Sequence, residues 1–493
     1  MAEQKCPSIP AVFAGADVFI TGGTGFMGKV LIEKLLRSCP QIARVFVLVR
    51  AKRGKALDER IKTITDGVLF DLLKSTRPDA LQKIHPIEGD CTELKLGMSA
   101  ESLERLREVQ FVFHAAASVR FNDPLKDAIM INTRSTREVL EWAKTLRKLR
   151  AVVHISTTYC NPELMHVEEK IYPAKMDWRD AIRMAESFDT ALLETVKQKL
   201  TQFAPNTYTF TKGLAEQICY DYRHDVPLVV FRPSVVTNSE SEPLVGWVDN
   251  FNGPIGLLLG CASGVLRTGL INLEKHINCI PVDVSIKAII VAAWKRATQD
   301  APGTLAVYNS AAEREKTIDY GRMLDDGKVL FDRTPLNNML WAPGGTATSN
   351  KFLYYIIFFF VQLVPALFVD TLLRIAGRTP FLLKLNRKIF DAQVSLWYFM
   401  NNEWVFANEN FKQLEYTLMK DDRKDFSIEY FVCGIMEYYA GAILGGRRYL
   451  LNEPDENIGD ALRKYRRLRM LNYASKAIIV FLVVYYIYTR YGL

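Results

Sequence analysis

From Asp17 to Pro233 the chain alternates apolar runs with stretches of helical spacing. The runs Asp17–Thr21, Arg44–Val49, Lys83–Gly89, Phe111–Ala116, Ala151–Thr157 and Pro227–Pro233 are mostly Val, Ile and Phe. Short runs of this kind predict strands covered on both faces. Between them, GKVLIEKLLRS and NTRSTREVLEWAKTLRK repeat their apolar residues at helical intervals. Strand and helix taking turns in this way predict α/β architecture, a doubly wound parallel sheet of the Rossmann type.

The alternation stops near Asp300. A stretch around LWAPGGTATSNK predicts a loop, and Phe352–Val369 follows as a run of mostly apolar residues broken by Gln362 and Pro365. That run has the length of a bilayer span, but Pro365 would kink it, so an interfacial or re-entrant element fits it equally. Residues 371–472 predict helices. The terminal run Ala477–Tyr488 carries a basic flank, RKYRRLRMLNYASK, and clustered tyrosines. This predicts a tail anchor with the basic flank, and the catalytic part, in the cytosol. The expected organisation is a dinucleotide-binding domain over 1–300 with a substrate segment near 235–280, and a linker over 301–350. A membrane-associated segment over 351–370, a helical C-terminal domain over 371–472 and an anchor over 473–493 follow.

Composition narrows the functional class. A chain of 493 residues exceeds one ordinary core. Hydrophobic content of 49% excludes a disordered chain, and a net charge of +8 without a nucleic-acid motif argues against nucleic acid as a partner. The mild basic excess suits an anionic cofactor or an anionic membrane surface. The eight cysteines are scattered with no Cys-x-x-Cys pair, so reduced thiols and no metal are expected. MAEQKCPSIP has no apolar signal core, which argues against secretion.

The candidate chemistry begins at DVFITGGTGFMG, where a strand ending at Thr21 runs through Gly22, Gly25, Phe26, Met27 and Gly28 into a helix. Glycines at such a turn let the backbone approach a pyrophosphate, and the helix N-terminus supplies N–H groups and a positive dipole end. The alternative is a tight turn with no ligand. At the end of the second strand stand Arg50, Lys52 and Arg53, where an acid would favour NAD. Cations there suit a 2′-phosphate, so NADPH is the expected cofactor; the alternative is a solvated basic loop. Asp90 is placed either to meet the adenine amino group or to make an Asx turn. HISTTYCN ends the fifth strand, which should bring Ser156 and Thr157 to the nicotinamide. Tyr208 and Lys212, four apart, share one helix face. A Lys beside the phenol would lower its pKa, making Tyr208 the proton donor and Lys212 its partner. Taken singly, these are ordinary caps, aromatics and surface charges; in this order and frame they point to hydride-transfer chemistry.

The glycine turn, FHAAA, Ser156–Thr157, Tyr208/Lys212 and FRPSVV together resemble the extended short-chain dehydrogenase/reductases. Within them, VFVLVRAKRG, PNTYTFTKGLAEQ, GWVDNFNGPIGLLLGCASGVLRT, EWVFANENF and GGRRYLLNE are similar to animal fatty acyl-CoA reductases of the insect type, across nearly the whole chain. The resemblance implies NADPH-dependent reduction of a long-chain acyl-CoA to a primary alcohol through an aldehyde, with CoA release, for wax, ether-lipid or cuticular-lipid synthesis. It implies Tyr208 and Lys212 as catalytic residues, with Thr157 ahead of Ser156 for the hydroxyl. It places Ala115, Ala116, Pro233, Ser234 and Val235 against the cofactor and Asn132 in support. Acyl-CoA and membrane lipid are the implied partners, and homo-oligomer formation stays open. Endoplasmic reticulum, peroxisome and lipid droplet all remain as sites, since YGL is not a peroxisomal tripeptide. A membrane-bound NAD(P)-dependent steroid dehydrogenase would share the turn and Tyr208/Lys212, but not GWVDNFNGPIGLLLG. A nucleotide-sensing scaffold is the non-enzymatic alternative.

Overall fold

A computed structural model describes residues 6–51, 56–202 and 204–492. The chain divides into two compact units. The first contains residues up to Val245, Asn278–Thr317 and Trp404–Val432; the second contains Gly246–Ile277, Ile318–Glu403 and the residues from Cys433 onward.

The first unit is built on a seven-stranded sheet. Its strands are β1 (Asp17–Thr21), β2 (Arg44–Val49), β3 (Ile84–Glu88), β4 (Phe111–His114), β5 (Ala151–Ile155), β6 (Leu228–Pro233) and β7 (Ala306–Ser310). They lie in the order 3-2-1-4-5-6-7, every neighbouring pair parallel. The expected doubly wound α/β sheet is therefore present. The reversal of strand order between β1 and β4 makes the ligand crevice at the carboxyl ends of these strands. Three helices matter to the site: α1 (Phe26–Ser38), α2 (Thr207–Asp221) and α3 (Val282–Thr298). Helix α3 is buried along almost its whole length, which is why VDVSIKAIIVAAW carries few charges.

The segment expected as a linker contains β7, and Trp404–Phe411 of the EWVFANENF segment belongs to the first unit with the sheet. The reason is burial. Trp404, Phe406 and Phe411 are all buried, Val405–Phe406 pairs in parallel with His166–Val167, and the Trp404 indole donates 3.0 Å to the Pro162 carbonyl. Glu169 accepts from the backbone N–H groups of Asn309 and Phe411, at 2.9 and 3.0 Å, tying this return segment to β7. The expected substrate segment is likewise divided at Val245.

The second unit is helical. It contains α4 (Lys351–Ile375, with one π turn at Phe359–Leu363), α5 (Leu382–Asn401) and α6 (Ile458–Tyr491). Two helices here are long and apolar enough to cross a membrane, one over Lys351–Ile375 and one within Asp455–Arg490. Residues 466–490 of α6 are almost all exposed, whereas α4 has a buried side.

Candidate active site

The register aligns Thr21 of β1 with His114 of β4, and His114 with His154 of β5. Thr21 Oγ1 lies 2.8 Å from His114 Nδ1 and accepts from the Ala116 N–H at 3.2 Å. Thr21 thus fixes the end of β4 at the mouth of the crevice. Burial and the nearby Lys212 charge push the His114 pKa down to about 3, so its ring is neutral at ordinary pH.

The glycine turn packs against that fixed strand end. Gly22 has φ +72°, and a Cβ there would lie 2.6 Å from the Ala115 and Ala116 backbone. Gly25 is the N-cap of α1; a Cβ there would meet only the Gly22 carbonyl oxygen, at 3.2 Å, among the described residues. So Gly22 is dictated by the protein itself, whereas Gly25 leaves a cradle that any side chain would fill. Phe26, Met27 and Gly28 form the first turn of α1 behind it. A helix N-terminus with that open cradle fits a dinucleotide pyrophosphate.

The other expected cofactor residues fall around the same crevice with mixed results. Arg50 follows β2 directly and is exposed, and its carbonyl accepts from Arg60. Lys52 and Arg53 lie outside the described residues. Asp90 Oδ1 accepts from the backbone and the hydroxyl of Thr92, both at 2.9 Å, so its local role is an Asx turn. Asn132 sits in a π turn, Ile129–Arg134, and joins three elements. Its amide donates to the Ser118 carbonyl at 3.2 Å and to Thr211 Oγ1 at 3.0 Å, and its Oδ1 accepts from the Ser118 N–H at 2.9 Å. It supports the site by locking α2 to the loop after β4. Pro233 ends β6. Ser234 is buried, and its Oγ has no hydrogen-bond partner among the described residues; Val235 opens a short strand paired with Cys279–Pro281.

Helix α2 begins at Asn206, whose side chain accepts from the Thr209 N–H at 2.9 Å. This cap places Tyr208 in the first turn and Lys212 one turn later. Thr157 lies just past the end of β5, close enough to Tyr208 to act on its phenol, and the Phe121 ring stacks on Tyr208 at 5.9 Å. The structure thus brings Thr157, Tyr208 and Lys212 together at one strand end. It also changes their electrostatics. Burial pushes the Tyr208 pKa up to about 12, only partly offset by Thr157. Lys212 Nζ donates 2.7 Å to the Ile155 carbonyl. Burial lowers the Lys212 pKa to about 8.

Ser156 and Thr157 point different ways, as neighbours on extended backbone do. Ser156 Oγ donates 2.6 Å to Glu216 Oε1, away from Tyr208. Glu216 forms a buried ion pair with Arg232 and also accepts from the Cys160 thiol at 3.2 Å. Arg232 donates onward to the carbonyls of Glu168 and Lys170. The Ser156 hydroxyl, expected as a second choice for the catalytic role, is placed in a buried brace with Glu216 and Arg232. Sequence reasoning missed Glu216. The available signal was position, since Glu216 continues the 208, 212 row of α2.

Two family profiles, both described as male sterility protein, match residues 20–289 and 361–453. Fatty acyl-CoA reductase 1 of Xenopus laevis is 37% identical over 477 residues, covering 97% of this chain and 92% of its own. The chain belongs to the fatty acyl-CoA reductase family. The human fatty acyl-CoA reductase 1 is 36% identical with the same coverage, and the fatty acyl-CoA reductase wat of Drosophila melanogaster is 34% identical over 96% of this chain and 91% of its own. Among solved structures, the terminal R domain of the myxalamid PKS-NRPS pathway superposes with a TM-score of 0.60 at 17% identity, over 90% of this chain and 93% of that one. The reductase domain of a non-ribosomal peptide synthetase from Mycobacterium tuberculosis gives 0.58 at 18%, with the same coverage. These two share the fold. As a fatty acyl-CoA reductase family member, the chain is an oxidoreductase with a nicotinamide-cofactor domain.

Proposed function

We propose that the protein reduces a long-chain fatty acyl-CoA to the primary alcohol in two NADPH-dependent steps, releasing CoA after the first. The observation that carries this reading is the gathering of Thr157, Tyr208 and Lys212 at the carboxyl end of β5, with Lys212 one helical turn from Tyr208 and its Nζ 2.7 Å from the Ile155 carbonyl, in a chain of this family. NADPH, when bound, supplies a hydride to the thioester carbonyl and another to the aldehyde. The Gly22–Gly25 turn and the start of α1 receive its pyrophosphate. Arg50 takes the 2′-phosphate, with Arg53 assigned the same role on sequence alone. Lys212 holds a ribose hydroxyl, and Ala115, Ala116 and Pro233–Val235 line the cofactor.

The hydroxyls of Thr157 and Tyr208 meet the oxygen of the carbonyl under attack, where negative charge develops. In the first half the tetrahedral adduct collapses, its C–S bond breaks, and CoA thiolate leaves and takes a proton. In the second half Tyr208 gives its proton to the alkoxide and is re-protonated from water. A phenol held near 12 donates only while negative charge is forming beside it, which suits an alkoxide acceptor. The balance is one acyl-CoA, two NADPH and two protons in; one alcohol, one CoA and two NADP⁺ out.

Helix α6 serves as a tail anchor that leaves the first unit in the cytosol, next to NADPH. The supporting features are its length, its exposed apolar surface and its basic flank. The test compares palmitoyl-CoA plus NADPH with a hydroxysteroid plus NAD, using purified protein and product analysis. Hexadecanol from the first pair supports the reading. Steroid turnover alone would replace it with the dehydrogenase alternative.

A further inference from the structure

Helix α4 passes every length and composition criterion for a bilayer span, yet one of its sides is occupied. Tyr354, Phe358, Gln362, Ala366 and Asp370 are all buried, a strict four-residue row. The π turn at Phe359–Leu363 widens the helix at Gln362 and helps keep that row facing the second unit, since an unmodified α-helix would rotate it away. Gln362 Oε1 accepts from the backbone N–H groups of Arg267 and Thr268, at 3.1 and 3.0 Å, and its amide donates 2.7 Å to Asn386 of α5. Asp370 caps the start of α5, accepting from the N–H groups of Phe381, Leu382 and Leu383.

These bonds exclude a crossing. The midpoint of α4 is fixed to Thr268, which pairs with Thr346 before the helix and accepts a 3.0 Å bond from Gln393 after it. Residues on both flanks of α4 thus meet on one strand beside its middle. A span would separate those flanks by about 30 Å of hydrocarbon.

The opposite side is mostly apolar and exposed. Phe352 is 73% exposed, Phe360 and Phe368 are each 65% exposed, and Ile375 is 79% exposed, at spacings that share one face. Around and beyond the C-terminal end of this face, Arg374, Arg378, Lys384, Arg387 and Lys388 are all exposed. An apolar helix face ending in a basic cluster is complementary to acyl chains below an anionic headgroup layer.

We propose that α4 does not span the membrane but lies in the plane of one anionic leaflet, with Phe352, Phe360, Phe368 and Ile375 in the acyl boundary and the basic cluster at the headgroups. This second attachment presents the second unit to the layer into which long acyl chains partition. It rests on α6 being an anchor in the same membrane.

The test uses the full-length chain. With p-benzoylphenylalanine in place of Phe360 or Phe368, in vesicles of phosphatidylcholine and phosphatidylserine, irradiation is expected to give lipid adducts. The same probe in place of exposed Val432 gives none. Charge reversal by Arg378→Glu, Arg387→Glu and Lys388→Glu together lowers the adduct yield severalfold. Adducts to a second copy of the chain, or no adduct at either position, would overturn the proposal. In microsomes, a glycosylation acceptor placed in residues 376–380 stays unmodified, and its modification would show a span and overturn it. A second acceptor appended after the last residue reports α6 separately, so failure of the anchor and failure of the in-plane helix are distinguishable.

Discussion

Ser156 donates a 2.6 Å hydrogen bond to Glu216, which holds its hydroxyl in the buried Glu216–Arg232 pair, while its neighbour Thr157 lies beside the Tyr208 phenol. Two adjacent hydroxyls at one strand end therefore carry different tasks. Thr157→Ala is expected to lower kcat by about a hundredfold or more, as loss of a donor to a developing oxyanion does. Ser156→Ala should leave kcat within a few-fold and cost about 1–3 kcal/mol of stability, because Glu216 loses a buried partner. Steady-state kinetics and urea unfolding of the two variants check this.

The brace beneath the site should behave as a buried ion pair. Glu216→Gln leaves Arg232 charged and poorly matched, at a cost of about 3–5 kcal/mol. Replacing both, as Glu216→Gln with Arg232→Met, should recover part of that loss. A double-mutant cycle on unfolding free energies measures the coupling.

The two glycines of the turn should fail differently. Gly22→Ala forces a Cβ to 2.6 Å from the Ala115 backbone at a positive φ, and should impair folding. Gly25→Ala meets only one oxygen at 3.2 Å, so the fold should survive while NADPH affinity falls. Thermal unfolding, with and without NADPH, separates the two outcomes.

Much of this architecture was legible in the chain. β1 and β2 ran as their apolar stretches predicted, because strands buried on both faces leave an unbroken apolar record. The Tyr208/Lys212 spacing and the glycine turn are local signals, and the structure places the first pair one turn apart on α2 and the turn between β1 and α1. What failed was tertiary. β7 escaped notice because AVYNS is one short run after the alternation had ended, and EWVFANENF because its partner strand lies far back in the chain. The difference between Ser156 and Thr157 depended on Glu216, sixty residues on, and the side-chain direction of Lys212 on a carbonyl no spacing rule encodes.

Lys212 sets the pH behaviour. Its folded pKa is about 8, below the ordinary lysine value of 10.5, so the unfolded chain holds this proton more tightly. The cost of burying the ammonium is present in full below about pH 8, and stability rises as pH climbs from about 8 toward 10.5. Activity should move the other way, with kcat/KM falling above about pH 8 as the ammonium is neutralised. Tyr208, at about 12, does not titrate in that range. A pH–rate profile checks this, and a flat profile through this range would contradict the role given to Lys212.

The most direct test of the central claim is turnover of palmitoyl-CoA by Tyr208→Phe, measured as hexadecanol formed, alongside NADPH binding by the same protein. The account predicts that alcohol formation falls by about a hundredfold or more, while the dissociation constant for NADPH stays within a few-fold of the parent. Near-normal alcohol formation by Tyr208→Phe would contradict it.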